Sequence, residues 1–124
     1  MAAVGLHHVL IACPAGSEDL MREFYSGVVG LREIPKPPQL AARGGVWFAV
    51  GQQELHCGVQ GEDGGGFVPA RKAHPCLVVD DLDALAAAVA DRGGEVVWAD
   101  EIPGVRRFHT SDPVGNRVEF QAQR

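Results

Sequence analysis

The chain has no apolar run close to the ~20 residues that a membrane-spanning helix requires. Its first residues, MAAVGLHH, show neither the charged n-region nor the apolar h-region of a signal peptide. Basic residues are also few, with 11 Lys and Arg against 16 Asp and Glu and a formal net charge of −5. Because no basic stripe is present to neutralise phosphates, nucleic acid is not expected as a partner. We therefore expect a cytoplasmic protein that binds neither a membrane nor nucleic acid.

Cysteine is scarce as well. The chain has only three, Cys13, Cys57 and Cys76, which is an odd number, and none of them forms a C-x-x-C pair. This spacing argues against a disulfide framework and against a thiolate zinc site. All three lie in apolar, strand-like runs, so we expect them to be small buried core residues. What the 124 residues do contain is an apolar share of 46%, which is ordinary for a globular protein and sufficient for the core of one domain.

The first half of the chain has the pattern of a β-α-β-β-β unit. A strand over about residues 6–13 is followed by the turn PAGS, where Ser17 or Gly16 is suited to cap a helix. Apolar residues recur at helical spacing along this helix, and Gly30 is suited to end it. A proline-rich loop, PKPPQ, then precedes GGVWFAVGQQELHCGV, which predicts a β-hairpin.

The same order of elements repeats after a glycine-rich connector over residues 61–73. HPCLVV predicts a strand, Asp80 or Asp81 caps the helix DLDALAAAVADRGG, and three strand-like segments follow, with DPVGN as the last hairpin turn. Such a repeat usually means two similar units around a shared space. We therefore predict a single α+β domain made of two βαβββ modules, at about residues 5–60 and 73–122.

Alternation along the strands separates an apolar face for the helices from a polar face. The apolar face of the first strand should lie under the helix, which turns His8 to the opposite, concave side. Polar residues recur at equivalent places on the first and last strand of each half: His8, His56, His74 and Glu119. Imidazole nitrogens together with a carboxylate oxygen suit a divalent ion such as zinc, nickel, iron(II) or manganese. The same pattern also fits a scaffold in which these groups only hydrogen-bond to one another, so both interpretations stay open.

These segments resemble the vicinal oxygen chelate superfamily, which includes glyoxalase I, fosfomycin resistance proteins, extradiol dioxygenases, methylmalonyl-CoA epimerase and bleomycin resistance proteins. The resemblance covers about residues 5–122 and depends on HHVLIACPAGSEDLMREFYSGVVGL, HPCLVVDDLDAL and RRFHTSDPVGNRVEF. Its most specific motif is the D-P-x-G-N-x-x-E run in the last of these segments. The resemblance implies two βαβββ modules whose strands form an open, cup-shaped mixed sheet with a divalent metal on its floor.

The resemblance also implies a set of metal ligands. His8, His74 and Glu119 match the first, third and fourth ligand positions of the family. The second position falls on ELHC, where we predict His56, with Glu54 as the rival. Fosfomycin resistance and extradiol enzymes use three ligands, whereas glyoxalase I and the epimerase use four, so both numbers stay open for this chain.

The activity implied by the resemblance is Lewis-acid chemistry, in which the metal binds two neighbouring oxygens of a small molecule and stabilises an enolate or oxyanion. Glu119 or Glu54 is the candidate catalytic base. Arg71 and Arg107 are candidates for binding an anionic substrate and Trp47 for lining its pocket, although solvated rim charges and core packing are the alternatives. We predict a metal-dependent lyase, isomerase or dioxygenase-like enzyme that forms a homodimer. The alternative is a metal-free protein that sequesters a small molecule or antibiotic, as bleomycin resistance proteins do.

Overall fold

The computed structural model describes residues 1–61 and 65–124, and the chain divides into two compact units, residues 1–68 and 69–124. Each unit contains one four-stranded mixed sheet and helical segments. The predicted α+β class with two βαβββ modules is therefore confirmed. The predicted connector includes residues 62–64, which lie outside the described residues.

The first unit follows the predicted order of elements. Its elements are β1 (His8–Cys13), α1 (Glu18–Arg22), a π-helix that continues α1 (Glu23–Val28), β2 (Arg32–Ile34), α2 (Pro38–Ala41), β3 (Val46–Val50) and β4 (Gln53–Val59). The sheet has the order β1-β4-β3-β2, in which β1 runs parallel to β4 and the other pairs are antiparallel.

Two local features of this unit differ from the prediction. The proline-rich loop contains the short helix α2, whose first residue is Pro38, because proline is tolerated in the first turn of a helix. Ser17 precedes α1 as predicted, but its hydroxyl donates to the carbonyl oxygen of Pro14 at 2.6 Å and makes no capping hydrogen bond to the helix.

The core of the first unit lies on the helix side of its sheet. The buried side chains there are Ile11, Cys13, Met21, Phe24, Tyr25, Val46, Phe48, Leu55 and Cys57. The rings of Tyr25, from the π-helix, and Phe48, from β3, have centroids 5.8 Å apart. Alternation along the strands therefore leaves His8, Leu10, Glu54 and His56 on the opposite face of the sheet, as the sequence predicts.

The second unit repeats this arrangement. Its elements are β5 (Cys76–Val79), α3 (Leu82–Asp91), β6 (Val97–Ala99), β7 (Arg107–Ser111) and β8 (Arg117–Ala122). The sheet has the order β5-β8-β7-β6, again with its first and last strands parallel. Asp81 caps α3 by accepting a hydrogen bond from the amide of Ala84 at 3.0 Å. The buried core consists of Leu77, Leu82, Leu85, Ala86, Val89, Phe108, Val118 and Phe120.

The turn DPVGN, between β7 and β8, explains the most specific motif of the sequence. Asp112 Oδ1 accepts hydrogen bonds from the amides of Val114 at 3.1 Å and Asn116 at 2.9 Å, so one buried carboxylate satisfies two backbone donors of the turn. Asn116 Oδ1 accepts from the amide of Ala70 at 3.0 Å, and Ala70 in turn accepts from the amide of Arg117 at 2.8 Å. The motif therefore fixes the segment that precedes β5 against the start of β8.

The cysteine prediction is right for two residues and wrong for the third. Cys13 and Cys57 are buried, whereas Cys76 is exposed, because it lies on the edge strand β5 and on the face opposite to the buried Leu77. Partial burial of the thiol and the neighbouring Glu119 carboxylate raise the pKa of Cys76 to about 12, so the thiol stays protonated at neutral pH.

The helices of the protein are short. Among the described residues, no helix combines the length and the apolar character needed to cross a membrane.

Candidate functional site

Three potential metal ligands meet on one face of the second sheet. In register, β8 places Glu119 beside His109 of β7 and beside Cys76 of β5, while His74 lies just before β5. His74 Nε2 lies 3.0 Å from Glu119 Oε1, and His109 Nε2 lies 3.1 Å from the same oxygen. One ligand atom from each of the three residues lies within 4.8 Å of the other two. We call His74, His109 and Glu119 the unit 2 cluster.

The second nitrogen of His74 fixes the tautomer of its neutral ring. Nδ1 lies 2.8 Å from the carbonyl oxygen of Lys72, and because a carbonyl only accepts hydrogen bonds, Nδ1 carries the proton. A neutral His74 then directs the lone pair of Nε2 towards the Glu119 carboxylate. Two acceptors 3.0 Å apart repel each other unless a proton or a cation lies between them. The arrangement is therefore suited to binding a positive charge.

Arg107 keeps the Glu119 carboxylate ionised and oriented. Burial by itself raises the pKa of Glu119, but hydrogen bonds from His74, when its Nε2 carries a proton, and from Arg107 outweigh it and lower the pKa to about 2. Arg107 Nη1 donates to Glu119 Oε2 at 3.1 Å, and Nη2 donates to Glu101 at 3.1 Å. Since the guanidinium holds Oε2, the other oxygen of Glu119 is left to face the two histidines.

We expect the variant Arg107→Met to lower the unfolding temperature of the metal-free protein by roughly 5 °C or more, because it leaves the buried Glu119 without its cation. The matched control is Arg106→Met, which removes an ion pair with the exposed Asp83 and should change the temperature by about 1 °C or less. Thermal unfolding followed by circular dichroism in a chelating buffer measures both changes. Equal effects of the two variants would contradict the positioning role of Arg107.

The donor set of the unit 2 cluster fits a borderline divalent ion. Two imidazole nitrogens and one carboxylate oxygen are ligands for zinc, nickel, iron(II) or manganese. Bonds of about 2.0–2.1 Å at tetrahedral angles place ligand atoms about 3.3 Å apart. The 3.0 and 3.1 Å separations are already close to this value. Burial lowers the pKa of His109, which favours the neutral imidazole that binds metals.

No role for His109 follows from the sequence motifs, although the sequence contains a signal for it. In the hairpin around DPVGN, His109 and Glu119 lie at directly opposed positions and therefore share a face. Counting outward from the turn would have identified this pair.

In the first unit, the predicted ligands form a stack of rings. The His56 ring lies 3.8 Å from the Trp47 ring at an interplanar angle of 2°, and 4.1 Å from the His8 ring at 15°. His56 Nε2 lies 2.9 Å from Glu54 Oε1, and this hydrogen bond lowers the pKa of Glu54. His8 Nδ1 lies 3.0 Å from Nδ1 of His7. Across residues 1–61 and 65–68, no three metal-binding groups converge as they do in the second unit.

The predicted substrate-binding residues lie in different places. Arg71 lines a hollow of about 240 Å³ in the second unit, together with His109 and Arg117. Trp47 lines a hollow in the first unit. The guanidinium of Arg107 forms ion pairs with Glu119 and Glu101. It therefore orients the Glu119 carboxylate and is not available to bind a substrate anion.

The predicted ligand set is brought together in part. Of the predicted ligands, His74 and Glu119 lie side by side, and His109 joins them. The combination of these residues with His8 and His56 of the first unit stays a prediction.

Comparisons with known proteins agree with this architecture. A family model described as a glyoxalase-like domain matches residues 9–120. A putative glyoxalase family protein from Bacillus anthracis is 41% identical, with a TM-score of 0.90 over 100% of this chain and 98% of that chain. No curated protein sequence matches.

Two more distant structures share the fold. Lactoylglutathione lyase from Agrobacterium tumefaciens is 20% identical, with a TM-score of 0.73 over 98% of this chain and 96% of its own. TnmS3, an antibiotic-binding protein from Streptomyces sp. CB03234, is 23% identical, with a TM-score of 0.67 over 100% of this chain and 99% of its own. At these identities the likeness concerns the fold alone.

Proposed function

This chain belongs to the glyoxalase-like domain family of the vicinal oxygen chelate superfamily, and we propose that it is a divalent-metal-dependent enzyme acting on a small oxygenated molecule. The bound metal would supply Lewis-acid stabilisation of an enolate or oxyanion, the chemistry that the family resemblance implies. Its structural neighbours include an enzyme, lactoylglutathione lyase, and an antibiotic-binding protein, so the family alone does not select the activity.

The observation that supports an enzyme is the unit 2 cluster. Two imidazole nitrogens and a carboxylate oxygen lie within 4.8 Å of one another, and a cation between them would bind all three. A protein that only sequesters an apolar ligand gains nothing from holding these groups together. His74, His109 and Glu119 would therefore hold the metal, with zinc, nickel, iron(II) and manganese as the candidates.

The remaining residues of the second unit have roles that follow from their positions. The Lys72 carbonyl fixes the tautomer of His74, and a hydrogen bond of this kind is typical of metal-binding histidines. Arg107 keeps Glu119 ionised. Arg71 and Arg117 line the hollow beside His109 and would bind an anionic part of the substrate. Glu119 and Glu54 remain the predicted bases for proton transfer.

The test is the metal content and metal affinity of the full chain, purified without a nickel column. We expect about one equivalent of a divalent ion in the purified protein, and recovery of one equivalent when zinc is titrated into chelator-treated protein. The double variant His74→Ala/Glu119→Ala should bind no stoichiometric metal. Unchanged zinc binding by this variant, or none by the wild type, would overturn the proposal. Circular dichroism confirms that the variant is folded.

The second candidate function is metal-free sequestration of a small molecule. The likeness to the antibiotic-binding protein TnmS3 and the hollow in each unit favour it. This function predicts tight binding of a drug-sized ligand that is the same with and without a chelator. The double variant described above would then retain ligand binding.

Three further predictions from the sequence accompany the proposal. They are the participation of His8 and His56 as metal ligands, a cytoplasmic location and a homodimer. His8→Ala and His56→Ala variants, measured in the same zinc titration, decide the first of them.

A further inference from the structure

We infer that Asn116, in the turn DPVGN, is a positioning residue for the metal site of the second unit. It is not one of the three ligands of the unit 2 cluster. It acts on His74 through residues 70–75, a segment before β5 that we call the tether. The inference rests on the proposed function, because it concerns how firmly the chain holds one of the proposed metal ligands.

The tether is fixed to the β7–β8 hairpin at both of its ends. At its start, the amide of Ala70 donates to Asn116 Oδ1 at 3.0 Å, and the carbonyl oxygen of Ala70 accepts from the amide of Arg117 at 2.8 Å. At its end, the carbonyl oxygen of Pro75 accepts from the amide of Glu119 at 3.0 Å. The backbone of the metal ligand Glu119 and the side chain of Asn116 therefore hold opposite ends of the same segment.

Between these anchors the tether contains more chain than the gap requires. Two steps along β8, from residue 117 to residue 119, cover about 7 Å. The five steps from residue 70 to residue 75 could cover about 17 Å if they were extended. Because both ends are fixed, the surplus must loop away from β8, and this loop consists of residues 71–74.

His74 is the last residue of that loop, so its ring direction depends on the shape of the loop. Its Nδ1 lies 2.8 Å from the carbonyl oxygen of Lys72, which belongs to the same loop. This bond sets the ring relative to the loop but not relative to β8. The anchors at Ala70 and Pro75 supply that second relation, and together they keep His74 Nε2 3.0 Å from Glu119 Oε1.

Asn116 is itself rigidly held and is suited to be an anchor. It is 2% exposed, and its Nδ2 donates to Asp112 Oδ2 at 3.2 Å, which turns Oδ1 towards the amide of Ala70. Gly115 has φ +94°, and a Cβ there would lie 3.2 Å from Pro69, so the turn lies directly against the start of the tether. A buried and preoriented acceptor fixes the tether better than water would.

The test compares Asn116→Ala with the wild type by competition against a chromophoric zinc chelator. We expect about tenfold weaker zinc binding, because the three ligands are all present but His74 is no longer held in place. The visible spectrum of the cobalt(II)-loaded variant should also differ in band position and intensity, since these bands report the geometry of the ligands. A loss of stability alone would leave that spectrum unchanged.

Two control variants separate positioning from stability. Asn116→Asp keeps an oxygen acceptor for the Ala70 amide but brings a second carboxylate next to the buried Asp112, so it should lower the unfolding temperature. Val89→Ala leaves a cavity in the core at α3 and should lower the unfolding temperature as well. Both should keep zinc affinity within about threefold of the wild type, because neither removes the acceptor.

A further measurement on chelator-treated protein keeps this inference apart from the proposed function. Diethyl pyrocarbonate modifies accessible imidazoles, and peptide mass spectrometry gives the rate at His74. We expect this rate to rise about fivefold in Asn116→Ala, as the loop opens more often, and to stay unchanged in Val89→Ala.

Three outcomes overturn the inference. They are wild-type zinc affinity in Asn116→Ala, an equal loss of affinity in Asn116→Asp, and an equal loss in Val89→Ala. If the wild type itself binds no zinc, the proposed function fails, and the rate of His74 modification alone decides whether Asn116 positions this residue. An unchanged rate in Asn116→Ala then refutes the positioning role.

Discussion

Glu119→Gln is expected to weaken zinc binding by about a thousandfold, which corresponds to about 4 kcal/mol. The substitution keeps the shape of the side chain but replaces an anionic metal ligand with a neutral amide. The amide oxygen is a weaker ligand and does not neutralise the positive charge of the metal ion. It also removes the negative charge that faces His74 and His109. Competition against a chromophoric zinc chelator measures the change.

The matched control for this prediction is Glu101→Gln. Glu101 and Glu119 both accept hydrogen bonds from Arg107, but Glu101 has a side chain 72% exposed and takes no part in the unit 2 cluster. We expect its replacement to change zinc affinity less than threefold, since only a screened surface charge is lost. If both variants lose affinity to the same extent, the effect is one of overall charge and the cluster is not the metal site.

Gly45→Ala is expected to destabilise the protein by about 3 kcal/mol or more. An alanine at this left-handed position already costs about 1–2 kcal/mol in backbone strain. In addition, its Cβ would overlap the carbonyl of Cys57, so the segment would have to move away from β4. Chemical denaturation gives the change in the free energy of unfolding.

Gly51→Ala separates the two contributions. Gly51 also has a positive φ, +57°, but no atom lies within 4 Å of a Cβ built there. Its replacement should cost about 1 kcal/mol, from strain alone. If the two variants differ by less than 1 kcal/mol in the free energy of unfolding, the backbone at Gly45 does not lie directly against Cys57 of β4.

The fold could be predicted because its signals are local or repeated. The apolar periodicity of α3, its Asp81 cap and the DPVGN turn each specify one element through residues close in sequence. Alternation along β1 and β4 then placed the polar residues on one face without reference to any other strand.

The site was predicted less completely because it depends on contacts between strands. Whether Arg107 meets a substrate or Glu119 is decided by the packing of long side chains across β7 and β8, which no sequence period encodes. To predict the position of His109, the register of the β7–β8 hairpin has to be known. To predict that Cys76 is exposed, the position of β5 at the edge of the sheet has to be known. The internal repeat and the resemblance to a family both pointed to His74 and Glu119, but neither pointed to His109 or to the contact between Arg107 and Glu119.

The parallel pairing of β5 with β8 has a consequence for how the second unit folds. The two strands are joined by the whole of α3, β6 and β7, so their contact closes a long loop and is expected to form late. During synthesis, His74 leaves the ribosome well before Glu119 and has no carboxylate to meet until the last strand is added. A chain shortened before β8 would therefore lose both the partner strand of β5 and the carboxylate of the unit 2 cluster in one step.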